Sequence, residues 1–357
     1  MIRVTNSIFN LELDLLELAL PLAISFFTFQ QIAYLVDSYR NETKDYKFID
    51  YCIFITFFPQ LIAGPIVYHK QMMPQFESLE SKKINFKNIS TGLFIFSIGL
   101  FKKVAIADTF AEWANSGYSQ TPTLGLIDGW TTSLAYTLQL YFDFSGYSDM
   151  AIGLALMFNI VLPINFNSPY KALSIQEFWK RWHITLSGFF TKYLYIPLGG
   201  NRKGVIRTYI NIMIIFFVSG IWHGAGWTFI FWGLMHGVAM CINRLWQMKG
   251  LHLNKYIGWF LTFMFVNLAW VFFRAGSFSQ AFEVLKAMLG LNGIGTLSTI
   301  PAVCIVLGMI VAVAFKNTIE MSKNFKPSFL YALFIAVIFI YAIFNLNEVS
   351  EFLYFNF

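Results

Sequence analysis

The sequence predicts an all-α, polytopic membrane protein, and three observations carry that reading. Hydrophobic residues make up 57% of the 357 and charged residues only 12%. With Gly counted in place of Tyr the apolar share is about 59%, against roughly 45–50% apolar and ~25% charged in soluble domains. Too few charges remain to cover a soluble surface of this size. The apolar residues gather into runs near membrane-helix length, separated by short polar segments. Aromatic side chains are abundant, with 41 Phe and 10 Trp, as expected where interfacial belts and lipid contacts coexist. No internal repeat and no soluble stretch of domain size is visible, so residues 1–357 read as a single transmembrane domain.

Charge and cysteine usage narrow the classes further. The net charge of +6 comes from basic residues in the short segments between apolar runs. That is the pattern of a positive-inside bias and of contact with anionic headgroups, and it argues against nucleic acid as a partner. Cys52, Cys241 and Cys304 lie far apart inside apolar runs with no C-x-x-C, so no disulfide framework or thiolate metal site is indicated. The histidines at 69, 183, 223, 236 and 252 form no H-x-x-x-H pair, and their spacing supports no zinc site.

Taken in order, the chain opens with Glu12, Asp14 and Glu17 ahead of the first apolar run, where a signal peptide would carry positive charge. Residues 18–36 are about long enough to span with some tilt, with Pro21 near the start. Gln30 and Gln31 interrupt that run and predict a face turned to protein. In residues 51–68, Pro59, Gly64 and Pro65 predict two short helical pieces around a break, a re-entrant arrangement. His69 reads as an interfacial surface histidine. Residues 70–90 read as a polar loop or interfacial helix, and Lys102 and Lys103 as lysines snorkelling from the end of a helix over 91–106. Residues 112–123 read as a loop. Residues 130–160 are apolar but carry Asp143 and Asp149 around Gly146. Two carboxylates in such a run are costly unless paired or hydrated. They read as caps of helix ends around Gly146 that tie neighbouring segments together, as acid–base groups, or as the lining of a polar cavity.

Residues 163–172 form a loop of turn residues. Ser174, with Glu177 three positions on, fits a capping box that starts an amphipathic helix. Trp179, His183, Leu186 and Phe190 follow as one stripe, and Glu177 and Arg181 are spaced for an ion pair on another face. His183 on an apolar stripe is either a hydrogen-bonded core residue or an active-site group. Gly199-Gly-Asn-Arg-Lys-Gly204 lacks the G-x-x-x-x-G-K-[ST] pattern; it reads as a basic turn facing headgroups or as a cradle for donor phosphates.

The most informative stretch is Ser219-Gly-Ile-Trp-His-Gly-Ala-Gly-Trp227, which sets His223 between two apolar runs. Three glycines in seven residues predict a broken helix, tolerated at membrane depth only inside protein or beside a water-filled cavity. Arg207 and Arg244 bracket the hairpin. From Arg207 to Ile221 is roughly 21 Å of helix and from Trp227 to Arg244 roughly 26 Å, both short of the ~30 Å hydrocarbon core. With both arginines at one interface, the imidazole sits at the bottom of a well. An ionisable side chain there is a functional-site candidate. His236 reads as a packing histidine bonded to a backbone carbonyl, and His252 as a surface residue in a loop. Further apolar runs follow at 257–273, 300–315 and 329–344.

Several stretches together resemble the membrane-bound O-acyltransferase family, in the branch of bacterial alginate and peptidoglycan O-acetyltransferases with the teichoic acid D-alanyl transferases nearby. They are Ser25-Phe-Phe-Thr-Phe-Gln30, Phe57-Phe-Pro-Gln-Leu-Ile-Ala-Gly-Pro65, Tyr141-Phe-Asp-Phe-Ser-Gly-Tyr-Ser-Asp149, Glu177-Phe-Trp-Lys-Arg-Trp-His-Ile-Thr-Leu-Ser187, Tyr195-Ile-Pro-Leu-Gly-Gly-Asn201 and Ile221-Trp-His-Gly-Ala225, in the family's order. The resemblance implies a ring of transmembrane and re-entrant helices around a central tunnel. It implies that His223 is the catalytic histidine and His183 a second functional one. Trp222, Trp179, Asp143, Asp149 and Asn201, in the same stretches, are candidate substrate-binding residues. It implies acetyl-CoA as acyl donor, no tightly bound cofactor, and a periplasmic partner of the SGNH-hydrolase type. The place implied is the bacterial cytoplasmic membrane. The C-terminal Glu351-Phe-Leu-Tyr-Phe-Asn-Phe357 resembles a tyrosine motif of this branch, which makes Tyr354 a transient acyl acceptor; without that role it is an interfacial aromatic anchor. Relatives usually carry further helices before the segment that here begins at Leu20, so the chain is expected to lack them.

The chemistry so implied is attack of a hydroxyl on a thioester carbonyl. A neutral imidazole within hydrogen-bond reach takes the hydroxyl's proton as the bond forms, the role expected of His223. His183 orients the acceptor or donates to the developing oxyanion. A transporter or flippase with proton-relay histidines fits the polytopic chain as well, but would gain from similarly interrupted helices in two halves, which are not visible. A scaffold for an export complex is the third reading.

Overall fold

The structure is a computed structural model that describes residues 23–43, 46–61 and 64–346. Pro21 and Tyr354 lie outside the described residues. All regular structure within them is helical. Helices α1 (Ile24–Tyr39), α2 (Phe48–Thr56), the single turn α3 (Phe58–Leu61) and α4 (His69–Glu77) open the chain. Within the 51–68 region two short pieces thus flank a break at Phe57, with Pro59 in the first turn of α3 and Pro65 in non-helical chain. Gln30 and Gln31 do face protein: the Gln30 amide donates to the Phe54 carbonyl at 2.9 Å, and Gln31 accepts from the Tyr51 hydroxyl at 2.6 Å.

The spine of the molecule is α7 (Leu126–Met157), 32 residues long and about 48 Å at 1.5 Å per residue. Against it pack α5 (Phe86–Phe101), a π-helical turn (Lys102–Ala107), and α6 (Asp108–Ser119). The α5–α7 seam runs on small residues. A Cβ on Gly99 would stand 2.7 Å from the Gly146 carbonyl, and one on Gly92 2.5 Å from that of Gly153, so the two backbones touch.

Several expectations are corrected here. Residues 112–119 are not loop: Phe110, Ala111, Ala114 and Tyr118 recur at three- and four-residue spacing and bury as one face of α6. Gly146 does not end a helix, because it is needed for close approach inside α7, so Asp143 and Asp149 cap nothing. Lys102 and Lys103 do not snorkel. Both are buried, Lys102 paired with Asp149 at 2.9 Å and Lys103 with Asp108 at 2.7 Å and Asp143 at 2.9 Å. The π-helical turn shifts the register so that successive lysines both face α7. His69 is no surface residue; it is buried with Nε2 3.1 Å from Asp37, a carboxylate that also accepts from Lys192 and Tyr193.

The predicted helix over 174–190 breaks in two: α8 (Ile175–Trp179) and α9 (Ile184–Phe190). The Ser174 hydroxyl caps α8 by accepting from the Glu177 N–H, and Glu177 reaches back to the Leu173 N–H and pairs with Arg181 at 2.8 Å. The remaining helices are α10 (Val205–His223), α11 (Trp227–Met248), α12 (Lys255–Arg274), α13 (Phe278–Met288), α14 (Thr299–Ala314), α15 (Thr318–Ser322) and α16 (Phe329–Phe344). The arms of the histidine hairpin run past both arginines, to 19 and 22 residues, so they are longer than the bracketing arginines predict. Residues 86–119, 205–223 and 255–274 are each long and apolar enough to cross a membrane; α14 and α16 are shorter apolar helices. Large side chains such as Leu330, Val337 and Phe344 point outward from α16, which suits lipid rather than water.

Candidate active site

His223 is the last residue of α10. Gly224, Ala225 and Gly226 make the connection to α11, and a Cβ on Gly224 would fall 2.5 Å from the Phe229 ring. The two arms are antiparallel and meet backbone to backbone. A Cβ on Gly220 would stand 2.6 Å from the Phe229 carbonyl, and one on Gly233 2.2 Å from the Phe216 carbonyl. Glycines therefore do not dissolve α10 before His223; they let α11 come close enough to wall it in. The imidazole is only 3% exposed, with the rings of Trp222, Trp232 and Phe273 centred 4.6, 5.0 and 5.1 Å away. It points into protein, away from lipid.

His183 arrives from a different kind of local structure. It sits in the turn between α8 and α9 with φ of 42°, a left-handed conformation that costs a non-glycine residue about 1–3 kcal/mol. Asn165 holds it there. The Asn165 carbonyl accepts from the Ile184 N–H at 3.0 Å, and its Oδ1 accepts from the Thr185 hydroxyl at 2.9 Å and lies 3.1 Å from His183 Nδ1. With Oδ1 accepting, Nδ1 carries the proton of the neutral ring and Nε2 keeps its lone pair. His183 is buried against Phe144, 4.8 Å ring to ring. Phe26 of α1 lies 6.3 Å from the His183 ring and 6.5 Å from that of Trp222, the neighbour of His223, so a chain of rings links the two imidazoles.

Trp179 joins through His236. Its indole N–H donates to His236 Nδ1 at 3.2 Å, an indole in place of the expected backbone carbonyl. The Trp232 ring lies 4.9 Å from His236 and 5.0 Å from His223, so one indole touches both imidazoles. His223, His183, Trp222 and Trp179 thus meet in one aromatic cluster, the histidines buried and the two indoles half-buried, built from α1, the α8–α9 turn, α10, α11 and α12.

The other candidates sit elsewhere. Asp143 and Asp149 are neutralised by Lys103 and Lys102, and Asp149 also accepts from the Thr318 hydroxyl at 2.5 Å. They flank Phe144, which carries α7 to His183. Asn201 accepts from the Tyr195 hydroxyl in the exposed turn before α10. That turn packs back on α10, the Gly200 carbonyl accepting from the Asn211 amide at 3.0 Å, and Asn211 is itself about 18 Å from His223 along the helix at 1.5 Å per residue. Phe26, Asn165, Trp232 and Phe273 were not singled out from sequence. The four-residue spacing of Trp232 and His236 was a usable signal; the partnership of Asn165 with His183 depends on the turn itself.

Comparison with known proteins agrees with the motifs. The family model for the membrane-bound O-acyltransferases matches residues 8–275. A peptidoglycan O-acetyltransferase of Helicobacter pylori is 53% identical over 318 residues, 81% of this chain and 60% of that protein. A probable alginate O-acetylase of Pseudomonas aeruginosa is 44% identical over 278 residues, 77% of this chain and 52% of that protein. A teichoic acid D-alanyltransferase of Bacillus subtilis is 27% identical over 241 residues, 64% of this chain and 60% of that protein. The chain therefore spans between half and two thirds of the length of these relatives. A match running from ahead of α1 to the end of α12, and so across every segment that builds the histidine cluster, makes this chain a member of the membrane-bound O-acyltransferase family.

Proposed function

We propose that the chain is the membrane-embedded part of an O-acetylation system. It takes an acetyl group from acetyl-CoA on the cytoplasmic side and passes it outward for attachment to an exported polysaccharide such as peptidoglycan or alginate. His223 is the base: as the acceptor oxygen bonds to the thioester carbonyl, its proton moves to the imidazole, and the departing coenzyme A thiolate takes that proton up. His183, with its lone pair on Nε2, accepts a hydrogen bond from the acceptor hydroxyl and orients it. The tautomer held by Asn165 supports that role over donation to the oxyanion. Trp222 and Trp179 exclude water around the thioester. Asp143, Asp149 and Asn201 serve the same reading as wall and entrance groups of a passage ringed by helices. Tyr354 is the transient acyl carrier, from which a periplasmic SGNH-type acyltransferase takes the group. The protein lies, multi-pass, in the bacterial cytoplasmic membrane.

The observation that carries the reading is a histidine at a helix end, buried in protein among aromatic rings and beside a second buried histidine. Relatives at 53% and 44% identity are named for O-acetylation and one at 27% for D-alanyl transfer, which favours acetyl as the group moved. The test is mass analysis of wall and exported glycans from cells carrying His223→Ala in place of the native gene. The reading requires acetyl esters to disappear while the variant still inserts; near-normal acetylation refutes it.

A further inference from the structure

A second feature lies on the outer face of the same hairpin. Residues 178–282 hold ten Lys and Arg and no Asp or Glu. Within this stretch a cleft of about 600 Å³ opens between α11 and α12, with the start of α8 as its floor. Its walls include Met235, Ala239, Ile242 and Trp246 on α11 and Gly258 and Phe265 on α12. The volume is in the range of sites that hold an extended organic ligand. The same helical stripes run on past the cleft's end at the α11–α12 loop. Three residues beyond Trp246 is Lys249, and three before Gly258 is Lys255, both exposed. The carboxylate nearest in the chain to the cleft floor, that of Glu177, is taken by Arg181 at 2.8 Å. An apolar trough of membrane depth therefore ends in two lysines with an interfacial tryptophan beside them.

We propose that this cleft is a binding site for one anionic phospholipid, with an acyl chain lying between α11 and α12 and the headgroup phosphate on Lys249 and Lys255. Attraction of an anionic headgroup is roughly fivefold in binding for each lysine at the membrane surface, so removing both weakens it by about thirtyfold. A zwitterionic lipid has the same chains but no net charge for the lysines to hold. The site adjoins the reactive cluster, because Phe265 of its wall lies 5.1 Å from the His236 ring. It needs no assumption about the reaction.

The test is native mass spectrometry of the full chain in detergent, titrated with palmitoyl-oleoyl phosphatidylglycerol or with the phosphatidylcholine of the same chains. The site requires one phosphatidylglycerol bound in preference to phosphatidylcholine. It also requires loss of that preference in Lys249→Gln/Lys255→Gln and its retention in Lys249→Arg/Lys255→Arg. Ala239→Phe, which fills the trough, should remove the bound lipid; Val238→Phe serves if that variant misfolds. Equal retention of the two lipids overturns the proposal. So does a preference that survives the glutamine pair, or displacement of the lipid by glycerol phosphate as effective as by whole phosphatidylglycerol.

Discussion

Replacing Gly233 by alanine tests whether the contact between the two hairpin arms sets the imidazole's place. The added Cβ would stand 2.2 Å from the Phe216 carbonyl oxygen and 3.2 Å from Gly220 Cα. Non-bonded heavy atoms settle near 3.5 Å, so α11 must retreat from α10 by about 1 Å. One methyl forced into a packed seam typically costs about 1–3 kcal/mol, which a protein of this size can absorb while staying folded. The retreat carries Trp232, the neighbour of Gly233, away from the His223 ring it now meets at 5.0 Å. A misplacement of about 1 Å at a reacting group costs on the order of 10²-fold in rate. Gly233→Ala should therefore yield folded, membrane-inserted protein whose thioester consumption in proteoliposomes is reduced about 10²-fold. Circular dichroism and a detergent melt report the fold separately. A folded variant turning over within threefold of the parent would refute the claim that this seam positions the base.

Two further outcomes follow from the same packing. Lys103→Met leaves the buried Asp143 and the half-buried Asp108 without a shared cation, costing about 3–5 kcal/mol; recovery of folded protein should fall sharply and return in part when Asp143 is made Leu as well. Asn165→Leu removes the acceptor that holds His183 and Thr185, leaving buried donors unmet at about 1–3 kcal/mol. The melt should shift down while the protein stays folded and inserted, and the transfer rate of the folded protein should fall at least tenfold; an unchanged rate would show that the His183 tautomer does not matter.

Much of this architecture could be read from the residues because membrane helices announce themselves by composition. The runs at 257–273, 300–315 and 329–344 correspond to α12, α14 and α16. The turn chemistry of Pro59 and Pro65 also read through, as did the burial of Gln30. What misled was local inference about polar residues in apolar surroundings. Asp143 and Asp149 do tie neighbouring segments together, as their place in an apolar run suggests, but they cap no helix end; their partners Lys102 and Lys103 look like snorkelling lysines until the end of α5 and α7 are side by side. The stripe Trp179–His183–Leu186–Phe190 fits a helix in periodicity, yet Asn165, from a distant loop, pulls His183 into a left-handed turn instead. Trp222, His223, Trp179 and His183 come together as the motifs implied, whereas Asn201 stays in the turn before α10, which packs beside Asn211 about 18 Å along the helix from His223.

The central claim is that a protein-buried imidazole at 223 takes a proton from the acceptor hydroxyl as the thioester is broken. Its most direct test is release of free coenzyme A from acetyl-CoA by purified His223→Gln in proteoliposomes, beside the parent protein, at matched insertion and with the periplasmic partner acyltransferase and its glycan present to take the acetyl group. The account predicts thiol release from the parent and none above background from the glutamine variant, which keeps the ring's bulk and polarity without its base. Thiol release by that variant at a rate comparable to the parent would contradict it.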